Sequence, residues 1–311
     1  MCSSAGLYLL NMRQFDLDKE CLLREQVTKD TPFGKVEAYL IKQFSAFFGM
    51  IDVYFFGSRV TGVAQNDADL DVCIKARSGL EDMLVFSKAV DWAEAKPSEI
   101  QIERKIPEGP LLLRVHITTL NLTVDLTFDS GYSVATSKLV SHYFDMQPFA
   151  RKMHVCLKDW KSLTNISQRF HTHVLTRLIV FFMQQRNYLP AVERVLVGPL
   201  DQINLLNVEF YPNENFTLSY PKDFFSLIKD FFAYWNQFDW SQNGICVLNG
   251  MVKPREWFRF HTDRTTEPSM MSSDYFNQAR NASRGVDVGD FESFRMACQE
   301  AERILNQKDF I

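Results

Sequence analysis

The sequence lacks any long hydrophobic run. Its longest wholly apolar stretch is Leu178-Ile-Val-Phe-Phe-Met183, far below the roughly 18 residues that span a bilayer, so no transmembrane helix and no membrane partner are expected. It also lacks a Cys-x-x-Cys pair. The six cysteines, at 2, 21, 73, 156, 246 and 298, are scattered with no nearby His at zinc-finger spacing, which predicts reduced thiols rather than a zinc site or a disulfide framework. Positive charge is not in excess: 34 basic residues stand against 38 acidic ones, a formal charge of -4. That excludes a chain that grips nucleic acid over its whole surface, but not one with a local basic channel. No internal repeat or low-complexity tract is visible. The N-terminus has no basic stretch followed by an apolar core, although Met1 to Arg13 carries no acid and loosely imitates an organellar leader. The expectation is a soluble intracellular chain, cytoplasmic, with nuclear and mitochondrial placement left open.

What is present is core-forming material. The chain is 46% apolar with 27 Phe, a globular composition, and its 311 residues suggest about two domains. Apolar residues recur at helical intervals from Asp16 to about Phe48, broken near Thr31-Pro-Phe-Gly34, so two helices are predicted. Ile51 to Phe56 reads as a strand ending in a turn at Gly57, Leu70 to Ile74 as a second strand, and Leu80 to Ala95 as a helix. Ile100 to Glu103, Leu111 to Ile117 and Leu120 to Phe128 alternate apolar with polar residues, as half-buried strands do. After about Gly131 the pattern becomes helical: Ser137 to Tyr143, Phe149 to Leu163, His171 to Gln185 and Phe224 to Trp235, separated by loops at Pro190, Gly198-Pro199, Pro212 and Pro221. Residues 151–186 carry seven basic side chains (Arg151, Lys152, Lys158, Lys161, Arg169, Arg177, Arg186) against one acid, Asp159. That imbalance suggests a face turned toward a polyanion.

The chemistry is concentrated in the first half. Gly57-Ser58 follows a hydrophobic strand, and after ten intervening residues comes Asp69-Leu70-Asp71-Val72. Side chains alternate along a strand, so Asp69 and Asp71 project from one face about 7 Å apart. A third acid, Asp125, lies in Thr123-Val-Asp-Leu-Thr127, which alternates in the same way. Three strand carboxylates suit two divalent ions in a phosphoryl or nucleotidyl transfer site, because hard oxygen ligands match Mg²⁺ and both the attacking and leaving oxygens need a cation. Gly57 permits close backbone approach, and the Ser58 hydroxyl and following amides can donate to triphosphate oxygens. Rival motifs fail on details. Gly57 to Gly62 has Walker-type glycine spacing, but Val63-Ala64 replaces the required Lys-Ser/Thr. Asp67-Ala-Asp69-Leu-Asp71 imitates a calcium loop, with Val72 at its glycine position and Ser78 at its final Glu.

This pattern of hydrophobic-Gly-Ser, spacer, Asp-hydrophobic-Asp and later strand Asp resembles the DNA polymerase β-like nucleotidyltransferases, and within them the cytoplasmic poly(A) polymerase and terminal uridylyltransferase group. Lys158-Asp-Trp160 looks like that group's Lys-His-Trp helix, and Leu178 to Gln184 resembles its helix ending in Phe-Leu-Gln. Ser226 to Met251 looks like its poly(A)-polymerase-associated segment, and Glu267-Pro268 with Asn277-Gln-Ala-Arg280 like its closing motif. The resemblance implies an α+β chain: a β-polymerase-like palm of mixed sheet and helices over residues 36–130, then a mostly helical poly(A)-polymerase-associated domain over 131–311, completed by N-terminal helices in 1–35. It implies template-independent addition of AMP, or of UMP, from the nucleoside triphosphate to an RNA 3′-hydroxyl, with Mg²⁺ or Mn²⁺. Asp69, Asp71 and Asp125 would be catalytic and metal-binding, and Gly57 and Ser58 would hold the triphosphate with Lys158. Thr136, Thr172 and His173 would line the nucleotide site, while the basic stretch 151–186 separately suggests Arg169 and Arg177 as RNA contacts.

The family pattern is altered at several positions. Thr136 aligns with a ribose-contacting Asn, Ser162 with a second triphosphate Lys, and His173 with the Tyr that stacks on the base; Phe276 stands where uridylyltransferases often place a uracil-reading His. That last departure favours ATP slightly over UTP. No separate RNA-recognition module is visible, which suggests modest RNA affinity supplemented by a partner protein. Two other classes stay open: a pseudoenzyme that keeps the fold as an RNA or protein scaffold, and a nucleotidyltransferase acting on a small molecule or a protein.

Overall fold

Alternation in the first half is realised as one mixed sheet of five strands: β1 (Ile51–Phe56), β2 (Leu70–Ala76), β3 (Ile100–Ile106), β4 (Leu112–Ile117) and β5 (Leu122–Thr127), in the order β1-β2-β5-β4-β3. The computed structural model describes residues 3–108, 111–128, 131–166, 170–258, 269–278 and 280–308. Only the β2/β5 pair is parallel; the other three are antiparallel. The predicted helices before and between the strands are α2 (Gln14–Asp30), α3 (Phe33–Phe48) and α5 (Asp82–Glu94), with a short α4 (Ser58–Thr61) after β1 and α1 (Ser4–Asn11) ahead of them. The break between α2 and α3 falls at Thr31-Pro32, where proline disfavours a helical residue before it.

The sheet divides its two faces by chemistry. Leu70, Val72, Ile74, Leu113, Val115, Ile117, Val124 and Leu126 are all buried, and they pack with Val36, Leu40 and Phe44 of α3 and Val85, Phe86, Ala89 and Trp92 of α5. Removing these side chains from water, at roughly 25 cal/mol per Å² of apolar surface, fixes the register. A slip by one residue would send this whole set to the other face. The residues between them, including Asp71, Arg114 and Asp125, are thereby held on the opposite face.

The chain forms two units: residues 22–142 with 203–208, which contain the sheet, and residues 1–21 with 143–202 and 209–311. The second unit holds α7 (Pro148–Ser162), α8 (Thr172–Gln185) and α10 (Phe224–Gln237) at the predicted places. The sheet unit ends in α6 (Tyr132–Met146), which runs just past the division. Aromatic rings dominate the helical core: Trp235 lies against Phe181, Phe231, Phe238 and Trp240. Gln184 Nε2 donates to the Val247 carbonyl at 2.9 Å and Gln185 Nε2 to that of Gly250 at 2.8 Å, so the end of α8 anchors the 247–250 turn. Elements for which the sequence expectation has no range are α1, α4, a short helix α9 (Val192–Val195), a hairpin of β6 (Asn243–Cys246) with β7 (Met251–Pro254), and the long α11 (Val288–Lys308). Among the described residues no helix is long and apolar enough to cross a membrane.

Candidate active site

The palm site is assembled by strand register. Phe56 ends β1 opposite Asp71, and Gly57 then turns the chain with φ of +79° into α4. That backbone region favours glycine, and space requires it as well: a Cβ on Gly57 would fall 1.9 Å from Asp71 Oδ2. The Gly57 amide donates to Ser137 Oγ of α6 at 2.8 Å, so it is committed within the palm. The Ser58 and Thr136 side chains are half-buried. Buried Arg59 secures the spacer. Its Nε and Nη2 donate to the Ala68 carbonyl at 2.8 and 2.6 Å, its Nη2 to that of Asn66 at 3.2 Å, and its Nη1 to Thr31 Oγ1 at 3.0 Å. These bonds fix the loop immediately before Asp69.

Asp69 precedes β2 by one residue, Asp71 lies within it, and Asp125 sits directly across from Asp71 on β5. Cross-strand partners project from the same face, so the register sets Arg104, Arg114, Asp125 and Asp71 in a row over β3, β4, β5 and β2. Arg114 enters the acidic cluster as the one residue the sequence reading did not single out there. Its Nε and Nη2 donate to the two oxygens of Asp125 at 2.6 and 2.7 Å, and Nη2 also bonds Asp69. Alternation on β4, with residues 113, 115 and 117 in the core, is the signal that places it. Beside this row His116 Nδ1 meets Thr123 Oγ1 at 3.3 Å, and Thr123 Oγ1 lies 3.5 Å from Glu103 Oε1.

Electrostatics mark Asp71 as the costly member. Burial first, then the charges of Asp125 and Asp69, push its carboxyl up to about 7. Asp69 is also raised by burial, with Arg114 pulling the other way. The guanidinium of Arg114 is held more firmly protonated still, chiefly by its hydrogen bond to Asp125. Among the described residues no three His, Cys, Asp or Glu side chains stand grouped as a metal cage; at this site Arg114 draws Asp69 and Asp125 onto its guanidinium instead. The expectation of three carboxylates converging on metal is corrected to that extent. The donor set nevertheless fits a hard divalent cation: three oxygen-donor side chains face one guanidinium, and Asp71 is crowded by like charge that a cation would relieve.

The remaining predicted residues belong to the helical unit. Lys158 is half-buried on α7, and Thr172 opens α8. Ser162 Oγ donates to the Asp159 carbonyl at 2.7 Å, so it closes the end of its helix. His173 is exposed; its ring stacks on His171 with centroids 5.4 Å apart, and Nε2 lies 3.4 Å from the Ala282 carbonyl. The protein around the ring, then the charge of Arg177, keep this imidazole below its ordinary range. Because the residue still meets solvent, desolvation there is only partial. Phe276 is buried, its amide donating to Asp274 Oδ1 at 3.1 Å.

The basic stretch is corrected. Arg177 is only 5% exposed, pairs with Asp274 at 3.3 Å and lies over the Tyr275 ring at 4.8 Å. It braces α8 against residues 274–275 and offers no charge to RNA. Arg151 pairs with Asp145, Lys152 with Asp18 and Arg186 with Asp230. Four of the seven basic side chains, Arg151, Lys152, Arg177 and Arg186, are thus met by acids from outside the segment. Arg169 lies outside the described residues.

Comparison with known proteins agrees with this geometry. Residues 20–145 match the family described as poly(A) RNA polymerase, mitochondrial-like, central palm domain. The chain is 22% identical over 275 residues to Poly(A) RNA polymerase gld-2 of Caenorhabditis elegans, covering 78% of this chain and 24% of that one. It is 19% identical over 269 residues to Poly(A) RNA polymerase cid11 of Schizosaccharomyces pombe, covering 83% and 55%. It therefore spans about a quarter and about half of these relatives. The crystal structure of mtPAP in complex with CTP superposes with a TM-score of 0.77 at 16% identity, covering 96% of this chain and 70% of that one. Terminal uridylyl transferase 4 from Trypanosoma brucei with bound dUTP gives 0.68 at 16%, covering 93% and 99%. At such identities the likeness shows the fold, which is the expected nucleotidyltransferase palm with a mostly helical companion.

Proposed function

We propose that this chain, whose residues 20–145 match the mitochondrial-like poly(A) RNA polymerase palm model, belongs to the poly(A) RNA polymerase and terminal uridylyltransferase group and is a template-independent RNA 3′-terminal nucleotidyltransferase. The observation that carries this is the acid cluster itself. Asp71 and Asp125 face each other in register, Asp69 just before the strand of Asp71 is tied to Asp125 through Arg114, and Asp71 is raised to about 7 by burial and by its two neighbours. Such crowding serves no packing purpose, which opposes the scaffold alternative.

In this reading Asp69, Asp71 and Asp125 would hold Mg²⁺ or Mn²⁺, and Asp125 would help activate the acceptor hydroxyl. The ions, when bound, supply Lewis-acid stabilisation of the transferring phosphoryl charge and lower the pKa of the attacking hydroxyl. Gly57 lets the backbone pass close to Asp71, and Ser58 presents its hydroxyl to triphosphate oxygens. Arg59 keeps the loop that delivers Asp69 in place, so that positioning is prepaid before substrate arrives. Lys158 as a triphosphate contact, and Thr136, Thr172 and His173 as nucleotide contacts, complete the assignment. ATP is favoured slightly over UTP because Phe276 offers a base no hydrogen bond. The acceptor is RNA, and a partner protein supplements its binding, since the chain carries a formal charge of -4 and Arg177 is tied to Asp274.

The test is to incubate purified protein with a labelled oligoribonucleotide and, separately, its DNA counterpart, with Mg²⁺ or Mn²⁺ and each nucleoside triphosphate alone. Extension of RNA, best with ATP, is expected. Extension of neither polymer by any nucleotide would reject the assignment, and a hundredfold preference for UTP would overturn the base choice.

A further inference from the structure

The acid cluster contains its own cation. Arg114 reaches both oxygens of Asp125 through Nε and Nη2, and the same Nη2 bonds Asp69. Its neighbour in register on β3 is Arg104, a like charge that disfavours swinging the guanidinium outward. On the other side lie Asp125 and, across β5, Asp71.

From this geometry we propose that Arg114 is a built-in counter-cation of the metal-free site: its bond to Asp69 is given up when a divalent ion binds, so Arg114 sets the affinity for that ion, while its fork on Asp125 keeps that carboxylate aimed. This rests on the reading of the acids as metal ligands. A carboxylate oxygen has more than one acceptor direction, so Asp125 can keep its two Arg114 bonds and still face a cation. Asp69 meets Arg114 through one oxygen, Oδ2, and that contact competes with a metal for the same negative charge. The fork is the geometry for which Arg is suited and Lys is not. Arg114 is thus a positioning residue with a second role as competitor. A purely structural ion pair would affect stability alone.

The test uses the full chain, metal-free and without nucleotide, with Mn²⁺ as probe and calorimetry or water-proton relaxation as readout. Arg114→Gln is expected to bind Mn²⁺ about tenfold tighter or more, because a positive charge beside the site is gone. Arg114→Lys keeps the charge but cannot span both carboxylates, and it is expected to show an intermediate gain. Thermal melts should show Arg114→Gln below the parent without Mn²⁺ and raised by Mn²⁺ more than the parent is. If Arg114→Gln binds Mn²⁺ no tighter than the parent while Asp71→Ala abolishes binding, the competitor role is wrong and the metal site stands. Should Arg114→Gln fail to fold, Arg114→Lys binding no tighter than the parent overturns the role equally. If the parent shows no Mn²⁺ binding that Asp71→Ala removes, the metal reading itself fails, and this inference with it.

Discussion

Gly57 shows how much can rest on one missing atom. Its Cβ would enter the carboxylate of Asp71, and its φ of +79° strains any other residue. Gly57→Ala is therefore expected to displace Asp71, lowering nucleotide addition by at least about a hundredfold and stability by roughly 1–3 kcal/mol; parallel activity assays and urea melts check both. Asp71 gives a second residue-scale prediction. Its ordinary value is 3.8, and in the metal-free fold it rises to about 7. Between those values the folded state keeps a proton that the unfolded chain has released. The stabilising effect of that proton is full below the lower value and lost as pH rises through the upper one. Metal-free protein should thus lose a few kcal/mol between about pH 4 and pH 8, and Asp71→Asn should flatten the slope in urea melts. The Gly-Ser turn and the three acids were legible from spacing and alternation. Arg114 was equally legible on β4, but its meaning depends on the β4/β5 register, which spacing along one strand does not contain.

Elements were read more fully than their uses. The strands and the helices α2, α3, α5 to α8 and α10 follow from period and from Pro or Gly breaks, because one face of each must be buried. Helix α11 carries a comparable signal: Phe291, Phe294, Cys298, Ala301 and Leu305 are buried at helical spacing. The hairpin β6/β7 has strands of four residues each, too short for alternation to announce. In the basic run of α7 and α8 the fold departs from the expectation at Arg177, for a physical reason. Counting charge along the chain omits acids brought from elsewhere by folding, such as Asp274 beside Arg177 and Asp18 beside Lys152. Arg177→Ala should accordingly cost about 3–5 kcal/mol by leaving Asp274 buried without its partner. RNA affinity per folded molecule and its salt slope should stay those of the parent. A filter-binding salt series on the folded fraction would contradict this if the slope fell.

For the whole molecule, the central claim is that the palm acids form a working nucleotidyl-transfer centre in this chain, whose sequence spans only part of its curated relatives. The fold alone does not decide this, since one architecture serves many activities; the proposal rests on the acids. The most direct measurement is the number of nucleotides added to a labelled oligoribonucleotide with Mn²⁺ and ATP by the parent and by Asp71→Ala, with circular dichroism confirming that both are folded. The parent should extend the RNA and the variant should lose several powers of ten in rate, because one carboxylate serves both charge stabilisation and hydroxyl activation. A folded Asp71→Ala protein within tenfold of the parent would contradict the claim.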